Sequence, residues 1–248
     1  MFTACVKSAY DPERSRTRLE LAQTRLAAGE LDAAESEATQ AIRYDASNSD
    51  AYMVRGLTYF HRAQQATNLF EVQSCMRGDA AGALRDEQES YLQRAAKEFA
   101  KAVELDPKNA EAWSTRGIVA NLQSDPELAK TYLIEALRNP SRLISPALTR
   151  AHLGWSYYLN KEFSLAKKEL LQAVQQIPNM CVANYRLGRV HFDEQEFAEA
   201  NERFISVIET KECAKLHEAY LYLMQSQRQQ GLIADAAITR DACTAMAP

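Results

Sequence analysis

The side chains of this chain best suited to catalysis or metal binding are its four histidines and five cysteines. No two histidines have the His-Glu-x-x-His spacing that places two metal ligands on one helix face. No two cysteines have the Cys-x-x-Cys spacing of a zinc site. Each histidine stands alone, as surface or packing residues do: His61, His152, His191 and His217. The sequence therefore predicts no metal site.

The sequence also gives no support for nucleophilic catalysis or for phosphate binding. The carboxylates recur at the spacing of a solvated helix face, and no glycine-rich loop could hold a phosphate group. A cysteine paired with a histidine can act as a nucleophile, but Cys181 and Cys213 fall at the two ends of one predicted helix pair rather than in a cleft. The sequence predicts no enzyme, no cofactor and no small-molecule substrate.

The same two cysteines suit a structural role. Antiparallel helices bring the two ends of a helix pair together, so a disulfide between Cys181 and Cys213 is geometrically feasible in an oxidising compartment. The alternative is two free thiols near helix ends. The remaining cysteines are Cys5, Cys75 and Cys243.

Helix pairs must position these residues, because the chain is rich in strong helix formers and its prolines and glycines fall mainly between helical segments. In 147–180, small residues such as Gly154 lie where two helices approach closely. Large residues such as Leu170 fill the space between pairs, and Pro178 ends the second helix. This pattern resembles the tetratricopeptide repeat (TPR), a helix pair of about 34 residues.

The pattern recurs along nearly the whole chain. The predicted repeats are 15–48, 49–109, 110–143, 147–180, 181–214 and 217–248. The resemblance implies an all-α fold, a right-handed TPR superhelical solenoid of six helix-turn-helix repeats, with the last repeat as a cap. A helical bundle without repeats is the alternative.

The second repeat keeps the pattern at both ends but carries an insertion, which we place near 64–88. The insertion is itself helical in pattern, with a break predicted near 78–82. Two overlong helices would form an arm that projects about 20 Å from the solenoid, since each helical residue adds about 1.5 Å.

Composition limits the partners. With a net charge of -4 and no basic stripe, the chain is not predicted to bind nucleic acid. No stretch approaches the roughly 18 to 20 apolar residues that span a bilayer. Hydrophobic residues make up 46% and charged residues 25%, which is typical of an ordered globular protein. A protein partner is the remaining expectation.

In a TPR solenoid the first helix of each repeat lines a concave groove. Groove positions of repeats two, four and five hold apolar residues, aromatic residues and an arginine: Met53, Leu57, Phe60, Trp155, Tyr158, Tyr185, Arg189 and Phe192. Such residues mark interaction sites and binding hot spots, so the sequence predicts a protein-binding groove. The alternative is a tight superhelix in which these side chains pack on neighbouring helices.

The groove differs from the carboxylate clamps with which some TPR domains hold the acidic tails of chaperones. Such a clamp needs lysine, arginine and asparagine in consecutive first helices. The corresponding positions here are Leu19, Gln23, Met53 and Leu57. The sequence therefore argues against a chaperone-tail adaptor.

The start of the chain adds a further signal. Residues 2–5, Phe-Thr-Ala-Cys, are close to the lipobox of bacterial lipoproteins, and residues 1–14 would comprise this segment and a short tether. Together with the repeats, and with the turn segments 27–31 and 155–163, this architecture resembles the type IV pilus pilotins of the Tgl/PilF type.

The resemblance implies a lipoprotein on the periplasmic face of the outer membrane. Cys5 would carry the covalent lipid anchor, and Val6 after it is compatible with outer-membrane sorting. The groove would bind a subunit of the secretin, the multimeric channel of the type IV pilus, and promote its localisation and assembly in the outer membrane. Pilus biogenesis and twitching-type motility would depend on that role.

Two other functions stay open. The first is a cytoplasmic TPR scaffold that binds a different protein and has a free Cys5 and no membrane link. The second is another lipoprotein TPR module, one that assists outer-membrane barrel insertion or cell-wall synthesis.

Overall fold

The computed structural model describes residues 10–73, 79–213 and 216–245. Within these residues every regular element is helical: twelve α-helices and one short 3-10 helix. The all-α prediction is confirmed. The chain divides into two compact units between Asp125 and Pro126, which lies inside the segment predicted as the third repeat.

The first unit contains α1 (Pro12–Ala27), α2 (Leu31–Tyr44), α3 (Ser49–Gln73), α4 (Asp79–Leu105) and α5 (Ala110–Leu122). The second unit contains α6 (Pro126–Leu137), α7 (Pro146–Leu159), α8 (Phe163–Gln176), α9 (Cys181–Asp193), α10 (Phe197–Glu209), α11 (His217–Gln229) and α12 (Ile233–Thr244). The 3-10 helix, Pro140–Arg142, precedes α7.

Local sequence sets several helix boundaries. Asp11 accepts a hydrogen bond from the N–H of Arg14, and Pro12 then opens α1. Ser145 caps α7 in the same way. Polar caps satisfy N–H groups that have no partner inside the helix, and a proline in the first turn removes a donor that would be unpaired there. Local residues therefore set these two helix starts.

Close contacts between paired helices depend on glycine. A Cβ added at Gly188 of α9 would lie 2.7 Å from Cε1 of Phe204 on α10. Gly56 and Phe99 make the equivalent contact between α3 and α4. A contact this short leaves no room for a methyl group. The small-against-large pattern of the sequence thus corresponds to direct helix packing.

Helices α3 and α4 have 25 and 27 residues, far more than the 12 residues of α6 or the 16 of α1. The extra length falls where the sequence places the insertion. The break predicted near 78–82 is partly wrong, because α4 already includes 79–82. The alanines there have high helix propensity, which outweighs the cost of about 1 kcal/mol for one glycine. Residues 74–78 lie outside the described part of the chain.

The antiparallel arrangement of α9 and α10 places Cys181 beside Cys213. The two cysteines form a disulfide, with their Cα atoms 5.7 Å apart. Of the two alternatives that the sequence left open, the structure has the linked pair. Cys243 in α12 is a free thiol. Cys5 and Cys75 lie outside the described residues, so the predicted anchor has no structural description.

Candidate protein-binding surface

Five of the predicted groove residues come together in the second unit. Trp155 and Tyr158 lie on α7, and Tyr185, Arg189 and Phe192 lie on α9. The Arg189 guanidinium carbon is 5.8 Å from the ring centroid of Trp155, 5.6 Å from that of Tyr158 and 5.9 Å from that of Tyr185. We call these five residues, together with Tyr222 of α11, the aromatic–arginine cluster.

Tyr222 lies over the guanidinium of Arg189, at 4.0 Å from its carbon, and meets Phe192 edge to face at 5.3 Å. Sequence reasoning missed it. Its position in the repeat could have indicated it, because three residues directly precede equivalent leucines in α7, α9 and α11. These residues are His152, Arg186 and Tyr222.

Hydrogen bonds orient the cluster. Arg189 donates to the hydroxyl oxygens of Tyr185 (3.1 Å) and Tyr158 (2.9 Å). Tyr158 in turn donates to Oδ2 of Asp193 at 2.7 Å. Each group therefore has a defined role as donor or acceptor, which fixes the guanidinium between the rings.

Tyr158 is an exception among the predicted groove residues, because it is only 5% exposed. Burial raises the pKa of its hydroxyl to about 12, and the hydrogen bond to Asp193 adds to the shift. Its ring stacks on Trp155 with centroids 4.5 Å apart. Tyr158 therefore packs in the core and positions its neighbours, as the core-packing alternative predicted, and does not offer free surface.

Trp155, Tyr185, Arg189 and Phe192 all keep partial exposure. They combine flat apolar surface with a cation whose position is fixed. Aromatic residues and arginine of this kind contribute large contact area at low entropic cost, and they dominate many protein interfaces. The geometry suits recognition of a protein segment.

The other three predicted groove residues, Met53, Leu57 and Phe60, lie on α3 in the first unit. Each is partly exposed and packs against a core cluster that includes Leu92 and Phe99. They therefore combine partial exposure with packing on the core of the first unit.

A polar network holds α2 to α3 and α4 in the first unit. Glu35 of α2 accepts hydrogen bonds from the Tyr59 hydroxyl (2.7 Å) and from Arg94 (3.1 Å), and it also pairs with Arg62. The network borders a polar depression of about 550 Å³ formed mainly by α2. Burial alone would raise the pKa of Glu35, but the bonds from Tyr59 and Arg62 outweigh it and the pKa is lowered.

Replacing Glu35 with glutamine is expected to lower the free energy of unfolding by about 1–2 kcal/mol at pH 7, because charged hydrogen bonds to two arginines are lost. A carboxylate with a lowered pKa contributes stability above its unfolded value, 4.5, and loses it as pH falls through the folded value. Urea unfolding of both proteins between pH 3 and 7 measures the difference. A difference as large at pH 3 as at pH 7 would contradict this assignment.

Neither metal nor membrane chemistry stands out in the described residues. They contain no group of three or more histidine, cysteine, aspartate or glutamate side chains that could hold a metal ion. None of the helices described is both long enough and apolar enough to cross a membrane. His191 is engaged with Glu196, its Nδ1 lying 2.6 Å from the carboxylate.

The helix pairs have the tetratricopeptide-repeat fold, which is the fold of scaffolds that bind other proteins and are generally non-catalytic. The profile of the tetratricopeptide repeat family matches residues 19–69. No curated protein matches the sequence.

Solved structures share this fold over most of the chain. PilW, described as a widely conserved type IV pilus biogenesis factor, superimposes with a TM-score of 0.69 at 19% identity, over 90% of this chain and 89% of PilW. PilF of Pseudomonas aeruginosa gives 0.67 at 17% identity, over 92% and 88% of the two chains. YrrB, a TPR protein with an unusual peptide-binding site, gives 0.59 at 16% identity, over 85% and 90%.

Proposed function

We propose that this chain is a pilotin, a lipid-anchored TPR protein that binds the secretin of the type IV pilus and promotes its assembly in the outer membrane. The observation that carries the proposal is the similarity of the fold to PilW, a type IV pilus biogenesis factor, over 90% of the chain. The similarity to PilF adds support, because the repeats and residues 2–5 of the sequence also resemble the Tgl/PilF type.

The disulfide supports a periplasmic location. Structural disulfides form and persist in oxidising compartments, which include the bacterial periplasm, and are rare in the cytosol. The bond between Cys181 and Cys213 therefore favours an exported protein over a cytoplasmic scaffold. A lipid on Cys5 would then hold the first repeat beside the outer membrane, since only a short tether separates them.

The proposed mechanism is noncovalent. The aromatic–arginine cluster holds a segment of a secretin subunit, while the lipid on Cys5 keeps the complex at the membrane. Tethering raises the effective concentration of secretin subunits at the membrane. The higher concentration favours oligomerisation without any change in the contacts that the subunits make with each other.

The first test is the amount of heat-resistant secretin multimer in membranes of a strain that lacks this protein. We expect the multimer to disappear while secretin monomer remains, and the wild-type gene to restore it. A Cys5→Ala complement should restore little, since the anchor is absent. An unchanged multimer in the deletion strain would remove the proposal and leave a TPR scaffold for a different partner.

A pair of variants tests the surface. Trp155→Ala removes a partly exposed ring of the cluster and should fail to restore the multimer. Leu165→Ala is the matched control, because Leu165 is 41% exposed on α8 and outside the cluster. Equal restoration by both variants would show that the cluster is not the binding surface.

A further inference from the structure

Arg186 of α9 extends across to α7. Its Nη1 donates to the carbonyl oxygen of Ala151 at 3.1 Å and lies 3.2 Å from Nδ1 of His152. Its guanidinium carbon is 5.3 Å from the ring centroid of Trp155. Its Nε and Nη2 have no hydrogen-bond partner among the described residues, and both atoms keep some exposure to solvent. Two donor groups of Arg186 are therefore available to a ligand.

The charge of Arg186 has no carboxylate beside it in the described part of the chain. Burial between the helices lowers its pKa to about 9, and a carboxylate partner would oppose that shift. Two other partly buried arginines are paired with carboxylates: Arg55 with Glu98 at 2.8 Å, and Arg150 with Glu169 at 2.7 Å. A partly buried cation without a carboxylate partner costs folding free energy. This cost indicates that Arg186 has a role other than stabilising the fold.

Arg189 adds a second cation at the same ring. It donates hydrogen bonds to the neutral hydroxyls of Tyr158 and Tyr185, and the carboxylate of Asp193 accepts a hydrogen bond from Tyr158. Both guanidinium carbons lie within 6 Å of the Trp155 ring centroid. The surface thus joins two cations to a partly exposed indole, and charge complementarity selects an anionic group that is attached to apolar side chains.

We propose that Arg186 and Arg189 bind a carboxylate of the bound protein segment. This carboxylate belongs to an aspartate, a glutamate or a chain terminus and lies beside Trp155. The apolar residues next to it in the segment then pack on the rings of Tyr185 and Phe192. Arginine suits this role, because its planar donors match a carboxylate and are stronger toward a charged acceptor. The occupant is an acidic, apolar peptide segment. The inference rests on the proposed function only in taking a protein as the ligand.

The test uses short random peptides displayed on phage and selected on the immobilised protein, followed by titration of the enriched peptides by calorimetry. We expect enriched sequences to carry aspartate or glutamate next to leucine or an aromatic residue. Replacing that acid with its amide should weaken binding at least about tenfold, as for loss of one charged hydrogen bond. Added salt should weaken it as well.

Arg186→Gln is the diagnostic variant. Glutamine retains a donor for the Ala151 carbonyl and removes a poorly solvated charge, so the variant should fold with an unchanged or higher thermal midpoint and bind the peptides at least about tenfold more weakly. Lys168→Gln removes the same charge from an exposed position on α8 and should bind normally. Arg189→Lys keeps the charge without the planar donors and should bind less well than wild type.

Several results would overturn the inference: enrichment of peptides without acidic residues, equal binding of the acid and amide peptides, or normal binding by Arg186→Gln. Capture of phosphatidylglycerol vesicles, lost in Arg186→Gln while no peptide is enriched, would assign the site to a lipid headgroup instead. Secretin that co-purifies equally with wild type and Arg186→Gln would leave the pilotin proposal standing and remove this one. If acidic peptides bind this protein but no secretin contact is detected, the present inference would stand and the pilotin proposal would be removed.

Discussion

Replacing Phe204 with alanine is expected to lower the free energy of unfolding by about 3–5 kcal/mol, the usual cost of deleting a fully buried phenyl ring. Phe204 is 0% exposed and packs on the backbone of Gly188. Its ring also stacks on Tyr222 with centroids 5.9 Å apart and lies 6.2 Å from Tyr185. The cavity cannot close, because glycine offers no side chain to fill it. Urea unfolding followed by circular dichroism measures the loss.

The same substitution should weaken peptide binding, since Phe204 supports two rings of the aromatic–arginine cluster from below. Ile205→Ala is the matched control: its side chain is 37% exposed on the same helix, and its removal should cost less than about 1 kcal/mol. Similar losses for the two variants would mean that the core of the second unit does not centre on Phe204.

Removing the disulfide by the double substitution Cys181→Ala and Cys213→Ala is expected to cost roughly 3–4 kcal/mol. The bond links residues 32 positions apart, and opening a loop of this length gives the unfolded chain more conformational entropy. The bond also ties the start of α9 to the segment that follows α10, the helix that carries Phe204. Unfolding by urea with and without a reducing agent measures the effect.

Reduction of the wild-type protein should reproduce most of that loss and should leave the double variant unchanged. Cys243→Ala is the control, because Cys243 is a free thiol in α12 and its replacement should alter neither stability nor the response to reductant. A wild-type protein that was insensitive to reductant would contradict a stabilising role for the bond between Cys181 and Cys213.

The repeat pattern made most of the fold predictable. Small residues such as Gly188 recur where helices cross, and large ones such as Phe204 recur opposite them, so sequence spacing encodes the helix pairs directly. Caps such as Asp11 mark helix starts for a local reason, the need to satisfy N–H groups. The break in the insertion was misplaced because one glycine among alanines is a weak local signal, and flanking residues decide whether the helix continues.

The candidate site was predictable only in part. The repeat pattern assigned Trp155, Tyr185 and Phe192 to groove positions, and all three are partly exposed. It assigned Tyr158 to a groove position as well, although that ring is buried. Periodicity gives the direction of a side chain from its own helix, whereas burial depends on how closely the next helix lies. The pilotin role, the lipid on Cys5 and the secretin partner stay predictions.

The sequence by itself determined the helices, their pairing and the class of protein, because these follow from short-range spacing and from contacts between neighbours in the chain. Only the tertiary structure decided that Arg186 and Arg189 converge on Trp155, that Tyr222 joins them from another helix, and that Cys181 and Cys213 are bonded rather than free. Those facts depend on the distances between helices. No local pattern encodes these distances, since the packing of all the intervening side chains sets them together.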